Sequence, residues 1–253
     1  MNGVVIKTTG KRYIVKNNCG EILQCRLKGK FRIKGIKSTS PIVVGDKVEV
    51  EKKSEFWMIV KLKGRKNHIL RRSVNLSKQT HIIAANIDQA ILMVTIQNPI
   101  TSTGFIDRFL AAAQSYAVEV LIIFNKLDIY DKQMMQKQKQ LRQMYEQIGY
   151  DCIALSVLHD DLTKVITAMK NKVNVIAGHS GVGKSTLINK LHPTLNLTTK
   201  EISDSHKQGK HTTTFSELHD LPFSGSIIDT PGIKGFGLVD IKKQELGDYF
   251  REF

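Results

Sequence analysis

One glycine-rich stretch, GHSGVGKST, constrains the fold of this chain more than any other feature. It matches G-x-x-x-x-G-K-[ST], a loop whose backbone N–H groups surround phosphates, and it lies between an apolar strand-like run, 174–177, and a helical segment. In such a loop Lys184 reaches the β- and γ-phosphates, and the Ser185 hydroxyl ligates Mg²⁺. The stretch therefore predicts a nucleotide-binding α/β domain. The predicted phosphate-contacting residues are Gly178, His179, Ser180, Gly181, Val182, Gly183, Lys184, Ser185 and Thr186.

The segments before this loop have the hydrophobic pattern of a doubly wound sheet. Residues 89–96 and 118–124 are nearly continuous apolar runs, as expected for strands that are buried on both faces. Between them, 102–117 has helical periodicity, with Ser102 or Thr103 as its N-cap. The alternation continues with a helix at 131–148, a strand at 152–155 and a helix near 162–169. The predicted class is α/β, with ligands at the carboxyl ends of the strands.

The tetrapeptide Asn125, Lys126, Leu127 and Asp128 follows the second of these strands and indicates which base is bound. An aspartate here accepts from both N–H groups on the Watson–Crick edge of guanine, a pattern that adenine does not offer. Asn125 and the Lys126 stem would shape the pocket, and Ser156 would add a backbone contact. N-K-x-D alone is a frequent tetrapeptide, but together with the phosphate loop it predicts a guanine site.

A third motif, Asp229-Thr-Pro-Gly232, follows the strand predicted at 226–228. Its carboxylate would lie near the Mg²⁺, and the Gly232 amide would sense the γ-phosphate. Alone, D-x-P-G is usually a turn. The base-reading motif precedes the phosphate loop, whereas an ordinary GTPase has it well after D-x-x-G. This order predicts a circularly permuted GTPase domain, in which the termini have moved and the spatial site has not.

The net positive charge of the chain comes entirely from its first third. Residues 1–80 hold 20 Lys or Arg and five acidic residues, whereas residues 81–253 hold 18 of each. One basic module beside one neutral module indicates a binding surface for a polyanion, and we favour nucleic acid over a merely solvated lysine-rich surface. The predicted RNA-binding residues are Lys28, Lys30, Arg32, Lys34, Arg65, Lys66, Arg71 and Arg72.

Short runs of alternating apolar and polar residues occupy this basic module, at 4–15, 21–27, 42–50 and 56–62. They predict a small barrel, for which an OB-fold or an SH3-like barrel would suit the pattern equally well. The basic segment 63–72 is predicted to link the barrel to the rest of the chain. We therefore divide the chain into an OB-fold RNA-binding domain, 1–70, and a GTPase domain, 71–253.

The combination of a basic barrel, NKLD, GHSGVGKST, GKHTTT and DTPG, in that permuted order, resembles the RsgA (YjeQ) GTPases, which act in assembly of the small ribosomal subunit. The resemblance covers nearly the whole chain. It implies an OB barrel, a permuted GTPase domain with Mg²⁺ and GTP or GDP, and contacts with the small subunit and its rRNA. It also implies a C-terminal zinc subdomain of Cys and His ligands. Because no cysteine follows Cys152, we expect no zinc in this chain, either through loss of that subdomain or through truncation.

The same resemblance makes 210–214 the switch I segment, with Thr214 as a further Mg²⁺ ligand. Switch GTPases place a water-orienting Gln directly after D-x-x-G, but this chain has Ile233 there. We therefore predict that His211 orients or deprotonates the attacking water. The alternative is an exposed loop histidine without a role.

These features predict a GTP hydrolase that the small subunit stimulates and that times its own release from rRNA. Two alternatives stay open: an rRNA-binding module with GTP as a structural ligand, and a GTPase acting on another RNA. We expect a cytoplasmic monomer without a membrane span, because the apolar runs are short and the three cysteines are scattered. A helix is predicted at 242–253.

Overall fold

The computed structural model describes residues 1–9, 12–28, 41–53, 56–72, 80–195, 216–229 and 243–252. The chain forms two compact units. The first comprises the described residues within 1–87, 211–219 and 227–232, and the second those within 88–210, 220–226 and 233–253.

Five strands of the first unit form a closed barrel. Their order is β1-β2-β3-β5-β4, and β4 also pairs with β1, which closes the sheet. The pairing of β3 with β5 is parallel, and the others are antiparallel. This closure confirms the predicted small OB-type barrel and shows that it has five strands. The strands are β1 (Asn2–Thr8), β2 (Tyr13–Asn17), β3 (Ile22–Leu27), β4 (Lys47–Lys53) and β5 (Phe56–Leu62).

Alternation along these strands directs mainly aliphatic side chains into the barrel. In β3, for example, Leu23 and Cys25 are buried and their neighbours are exposed, because successive side chains point to opposite faces of a strand. The barrel core consists of Val5, Tyr13, Val15, Leu23, Cys25, Ile42, Val48, Val50 and Ile59. The predicted strand at 42–50 begins only at Lys47. Gly45, at a φ of 88°, interrupts it where a Cβ would lie 2.0 Å from the Ala85 carbonyl oxygen.

A hairpin follows the barrel where the sequence indicated only a linker. Strand β6 (His68–Arg72) pairs antiparallel with β7 (Thr80–Ala85). Its apolar residues are packed: Ile69 is fully buried, and Leu70 packs against Ile82 and Ala85. The basic residues of 63–72 obscured this short alternation. A domain boundary at residue 70 therefore cuts through a strand of the first unit.

Four parallel strands in the order β10-β9-β8-β11 form the sheet of the second unit. Its strands and helices alternate along the chain, as the periodicity predicted. The strands are β8 (Gln89–Val94), β9 (Glu119–Phe124), β10 (Asp151–Ala154) and β11 (Val173–Ala177). The helices are α1 (Thr103–Ser115), α2 (Lys132–Ile148), α3 (Thr163–Met169) and α4 (Lys184–Leu191).

Side-chain caps determine where the first two of these helices begin. The Ser102 hydroxyl accepts from the Phe105 amide at α1, and the Asp131 carboxylate accepts from the Met134 amide at α2. The helices contact each other through the buried Tyr145, whose hydroxyl donates to Asp107 at 2.8 Å. These caps and contacts fix the helices beside the sheet.

Strands β12 (Glu217–Asp220) and β13 (Ser226–Asp229) complete the described sheet elements. The prediction of a helix at 242–253 is wrong. The described part of this segment forms two 3₁₀ turns, Lys243–Glu245 and Gly247–Tyr249. Gly247 between them disfavours a continuous helix. Within the described ranges, no helix is long and apolar enough to cross a membrane.

Candidate functional site

The glycine-rich loop connects β11 to α4, as its motif requires. Lys184 is the first residue of α4, and its ammonium group donates to the carbonyl oxygens of Gly178 at 2.8 Å and His179 at 2.6 Å. Burial lowers the pKa of Lys184 below its usual range. The lysine is therefore held across its own loop as a partly desolvated cation, an arrangement suited to an anionic phosphate.

Two glycines of the loop are required by close backbone packing. A Cβ at Gly178, where φ is 140°, would lie 2.4 Å from the Met93 carbonyl oxygen. A Cβ at Gly183, where φ is 102°, would lie 2.4 Å from Nδ2 of Asn125. The positive φ angles alone favour glycine at both positions. The phosphate loop is thus packed directly against β8 and against the NKLD motif.

Asn125 joins three segments of the second unit. Its side chain is almost fully buried, its Nδ2 donates to the Val182 carbonyl at 2.8 Å, and its Oδ1 accepts from the Val157 amide at 2.8 Å. The phosphate loop and the segment after β10 are therefore fixed to the end of β9 by one amide group. The sequence predicted that Asn125 shapes a pocket, but not that it connects these loops.

Lys126 and Asp128, which follow Asn125 in the motif, lie closer to the protein surface than Asn125 does. Lys126 has a left-handed backbone, with a φ of 66°, and its Nζ donates to the Asn98 carbonyl at 2.5 Å. Leu127 and Asp128 belong to a short 3₁₀ helix, Leu127–Ile129. The Asp128 side chain is 24% exposed, with Oδ2 3.9 Å from Nε2 of His159. The carboxylate is thus accessible at the rim of the loops that Asn125 connects.

Tyr130 supports the same motif and was not singled out from the sequence. Its hydroxyl accepts from the Ile96 amide at 2.8 Å and donates to the Asn125 carbonyl at 2.7 Å. Burial raises the pKa of Tyr130, so the phenol stays protonated and keeps its donor. The tyrosine five residues after Asn125 was the available signal, but its role depends on a contact with the end of β8.

Ser156 lies in the loop after β10, where the sequence placed it. Its amide donates to Asp160 Oδ2 at 2.7 Å, and its carbonyl accepts from the Asp160 amide at 2.8 Å, so the loop closes on itself. The Ser156 hydroxyl is buried without a hydrogen-bond partner among the described residues. The loop brings Ser156 next to Val157, which Asn125 holds.

Asp229 is the last residue of β13 and lies in the first unit. Burial raises the pKa of its carboxyl, and the nearby His219 partly opposes that shift. Six other predicted residues lie outside the described part of the chain: Gly232, His211, Thr214, Lys30, Arg32 and Lys34. In the portion that is described, no group of three or more His, Cys, Asp or Glu could hold a metal ion.

Among the described residues predicted to bind RNA, some side chains are exposed and one is buried. Lys28 and Lys66 are exposed, and Arg71 and Arg72 end strand β6. The Arg65 side chain is only 8% exposed, and its guanidinium contacts the fully buried Asp46 at 2.6 and 2.7 Å. A buried guanidinium paired in this way is not available to a phosphate. We therefore remove Arg65 from the RNA-binding set.

Comparisons with known proteins cover the whole chain. The family model described as RsgA GTPase matches residues 62–239, and that described as RsgA N-terminal domain matches residues 2–56. The protein named small ribosomal subunit biogenesis GTPase RsgA from Flavobacterium psychrophilum is 52% identical over the full chain, which covers 79% of that relative. The protein of the same name from Bacteroides fragilis is 51% identical, with 82% of its length covered.

Solved structures agree with this result. The crystal structure of YjeQ from Thermotoga maritima matches all of this chain and 82% of its own, with a TM-score of 0.79 and 34% identity. The structure of YloQ, titled a circularly permuted GTPase, matches 99% of this chain and 77% of its own, with a TM-score of 0.74 and 29% identity. The permuted motif order is thereby confirmed. The chain belongs to the RsgA GTPase family and is a GTP-hydrolysing enzyme with a circularly permuted GTPase domain.

Proposed function

We propose that the chain binds and hydrolyses GTP at the loops joined by Asn125 and uses this reaction in maturation of the small ribosomal subunit. The curated relatives carry that process in their name. The observation that carries the proposal is the paired contact of Asn125 with Val182 and Val157, which holds the phosphate loop and the base-reading motif together.

Each motif has a specific role in this proposal. The Asp128 carboxylate reads the N1–H and exocyclic amine of guanine, while Lys126 and Leu127 border the base and the Ser156 segment adds a backbone contact. Residues 178–186 surround the phosphates through their amides, with Lys184 on the β- and γ-phosphates. Asp229 and Gly232 complete the phosphate side.

Mg²⁺ suits the donor set proposed for it. Ser185 in the first turn of α4, Thr214 and Asp229 offer hydroxyl and carboxylate oxygens, the ligands that Mg²⁺ prefers. Burial raises the pKa of the Asp229 carboxyl, so a nearby cation would favour its ionised form. When bound, Mg²⁺ neutralises charge that develops on the phosphate oxygens.

Hydrolysis needs a group that orients water, and we assign this role to His211. Ile233 occupies the position where switch GTPases carry Gln, and its side chain offers no hydrogen bond. An His211→Ala variant should keep its GTP affinity, because Lys184 and the loop amides hold the ground state. Its turnover in the presence of small subunits should fall by about 10²-fold. Turnover equal to wild type would instead assign the role to a group from the ribosome.

The basic first third of the chain, whose strands β1 to β5 form the barrel, is proposed to hold rRNA. Lys28 and Lys66 are exposed there, and the excess of positive charge suits phosphate contacts. In this proposal the protein works in the cytoplasm as a monomer. Hydrolysis would time its release from the subunit.

The decisive experiment measures turnover of GTP and ATP with and without purified small subunits. We expect hydrolysis of GTP only, stimulated by the subunit. Asp128→Asn should weaken GTP binding by about 1–3 kcal/mol, because the variant leaves a guanine donor unpaired. The matched control, Asp151→Asn, removes an equal charge at the exposed first residue of β10 and should leave GTP binding normal.

The alternative function, an rRNA-binding module with GTP as a structural ligand, predicts a different result. RNA binding would then require GTP, but turnover would not respond to the subunit. Equal binding of ATP and GTP would contradict the assigned role of Asp128.

A further inference from the structure

An exposed aromatic ring on the outside of the barrel stands next to an arginine. Phe56, the first residue of β5, is 48% exposed, and the guanidinium carbon of Arg26 lies 4.3 Å from its ring centroid. The next residue, Trp57, packs against the barrel core. Because side chains alternate along a strand, Phe56 points outward, to the side away from that core.

The register of the strands extends this pair into a surface. Arg26 is the backbone partner of Met58 across the parallel β3–β5 pairing, and Lys53 is the partner of Phe56 across the β4–β5 pairing. Lys53 is exposed, as is Ile22 on β3. The acidic Glu51 lies opposite Met58, so the surface is mixed in charge but carries two cations beside the ring.

The stability of the fold does not explain why Phe56 and Arg26 are exposed. An exposed cation–π contact contributes only about 0.5–1 kcal/mol, and the half-exposed Phe56 ring forgoes a large part of the gain from full burial. Aromatic rings flanked by arginine on a β-surface are the usual means of stacking unpaired bases. In OB-folds the face of the second and third strands and the loop before the fifth strand bind oligonucleotides. Arg26 lies on β3, and Phe56 is the first residue of β5.

We propose that Phe56 and Arg26 form a stacking site for an unpaired base of single-stranded RNA, with Lys53 contacting the adjacent phosphate. This proposal rests on the proposed function of the barrel and specifies which RNA it takes. The basic side chains alone would bind duplex and single strand through phosphates. The ring adds a preference for bases that are not stacked in a helix.

The test uses the full chain, an unpaired RNA of about 12 nucleotides and a duplex of the same sequence, with binding measured by fluorescence anisotropy across a salt series. Phe56→Leu keeps an apolar side chain but removes the ring. It should weaken single-strand binding by about 5- to 100-fold, leave duplex binding unchanged and keep the salt slope. Phe56→Tyr should restore binding.

Two further variants separate stacking from charge. Arg26→Lys keeps the charge and should keep the salt slope while lowering single-strand affinity, whereas Arg26→Gln should also lower the slope by about one unit. Met144→Ala removes an exposed apolar side chain from α2 in the second unit and serves as the control.

The outcomes distinguish this site from the proposed function. If the wild type binds RNA and Phe56→Leu binds the single strand equally well, the stacking site is overturned and the RNA-binding barrel stands. If the wild type binds neither RNA, both proposals are overturned. Selective loss with Phe56→Leu, reversed by Phe56→Tyr, supports the site.

Discussion

The two units bury polar side chains for different purposes. In the first unit, Asp46 and Arg65 form an inward-facing ion pair whose described contacts all lie within that unit. In the second unit, Asn125 lies inside the NKLD motif itself and bonds to the phosphate loop. We therefore expect stability and RNA binding to depend on different residues in the barrel, and one residue, Asn125, to serve both stability and nucleotide binding in the second unit.

The buried ion pair between Asp46 and Arg65 is supported by further hydrogen bonds to the backbone. The Asp46 carboxylate accepts from Nε and one Nη of Arg65 and from the Val43 amide at 2.8 Å, and Arg65 also donates to the Pro41 carbonyl at 3.1 Å. One guanidinium nitrogen is buried without a partner among the described residues. The pair thus ties the segment before β4 to the segment after β5.

The largest expected effect comes from breaking this pair. Asp46→Ala leaves the Arg65 guanidinium buried without its counter-charge and should lower the free energy of unfolding by about 3–5 kcal/mol. Trp57, the only tryptophan in the chain, packs against the barrel core and reports unfolding of the first unit by fluorescence. GTP affinity, measured under conditions where the variant is folded, should not change.

An exposed ion pair of the same barrel provides the control. Lys61 lies 3.5 Å from Glu49 and is 67% exposed, so Lys61→Ala should change the free energy of unfolding by less than about 1 kcal/mol. Equal losses for the two variants would show that burial does not distinguish these pairs.

A smaller effect, but on two properties at once, is expected at Asn125. Asn125→Ala leaves the Val157 amide and the Val182 carbonyl without their partner, which should cost about 1–3 kcal/mol of stability. Because the same contacts hold the two nucleotide-binding loops, GDP affinity should also fall by about 10-fold or more. Titration with a fluorescent GDP analogue measures this loss.

Asn125→Asp sharpens the result, because it keeps the acceptor for Val157 and removes the donor to Val182. We expect it to bind GDP more weakly than the wild type. A variant that loses stability but binds GDP normally would contradict the double role of Asn125.

The smallest expected effect is a pH dependence at Asp229. Burial raises the pKa of this carboxyl in the folded protein, so the folded state binds the proton more tightly than the unfolded chain does. Without Mg²⁺, its contribution to stability should therefore decline as pH rises from the ordinary carboxyl pKa through the raised value. Asp229→Asn should remove this decline in a series of urea titrations that runs upward in pH from the ordinary carboxyl pKa of about 4. An identical pH profile for both proteins would contradict the prediction.

Much of the second unit could be predicted because its signals are local. The apolar runs of β8 and β9, the cap at Ser102 and the glycine-rich loop each depend on neighbours in sequence. The guanine motif likewise follows a strand end, where ligands of parallel sheets are expected.

The features that sequence did not reveal depend on distant partners. Arg65 lies in a basic run and was assigned to RNA because its partner, Asp46, is 19 residues away. The sequence does not predict strand β6, because basic residues flank its apolar residues Ile69 and Leu70 and its partner strand begins only at Thr80. Tertiary pairing, which a short window cannot contain, decided both cases.

The contact between Asn125 and the phosphate loop has a consequence for how this chain can diverge. Asn125 and Val182 are 57 positions apart, and a side chain at Gly183 would collide with the Asn125 amide. The residue at position 125 therefore limits which residues position 183 can accept, and the reverse also holds. The two motifs are expected to change together in evolution. The contact does not depend on the order of the two motifs along the chain, because it requires only that the two loops lie next to each other. A gene rearrangement that exchanges the order of the motifs can therefore preserve this contact. A single added methyl group at Gly183 would disrupt it.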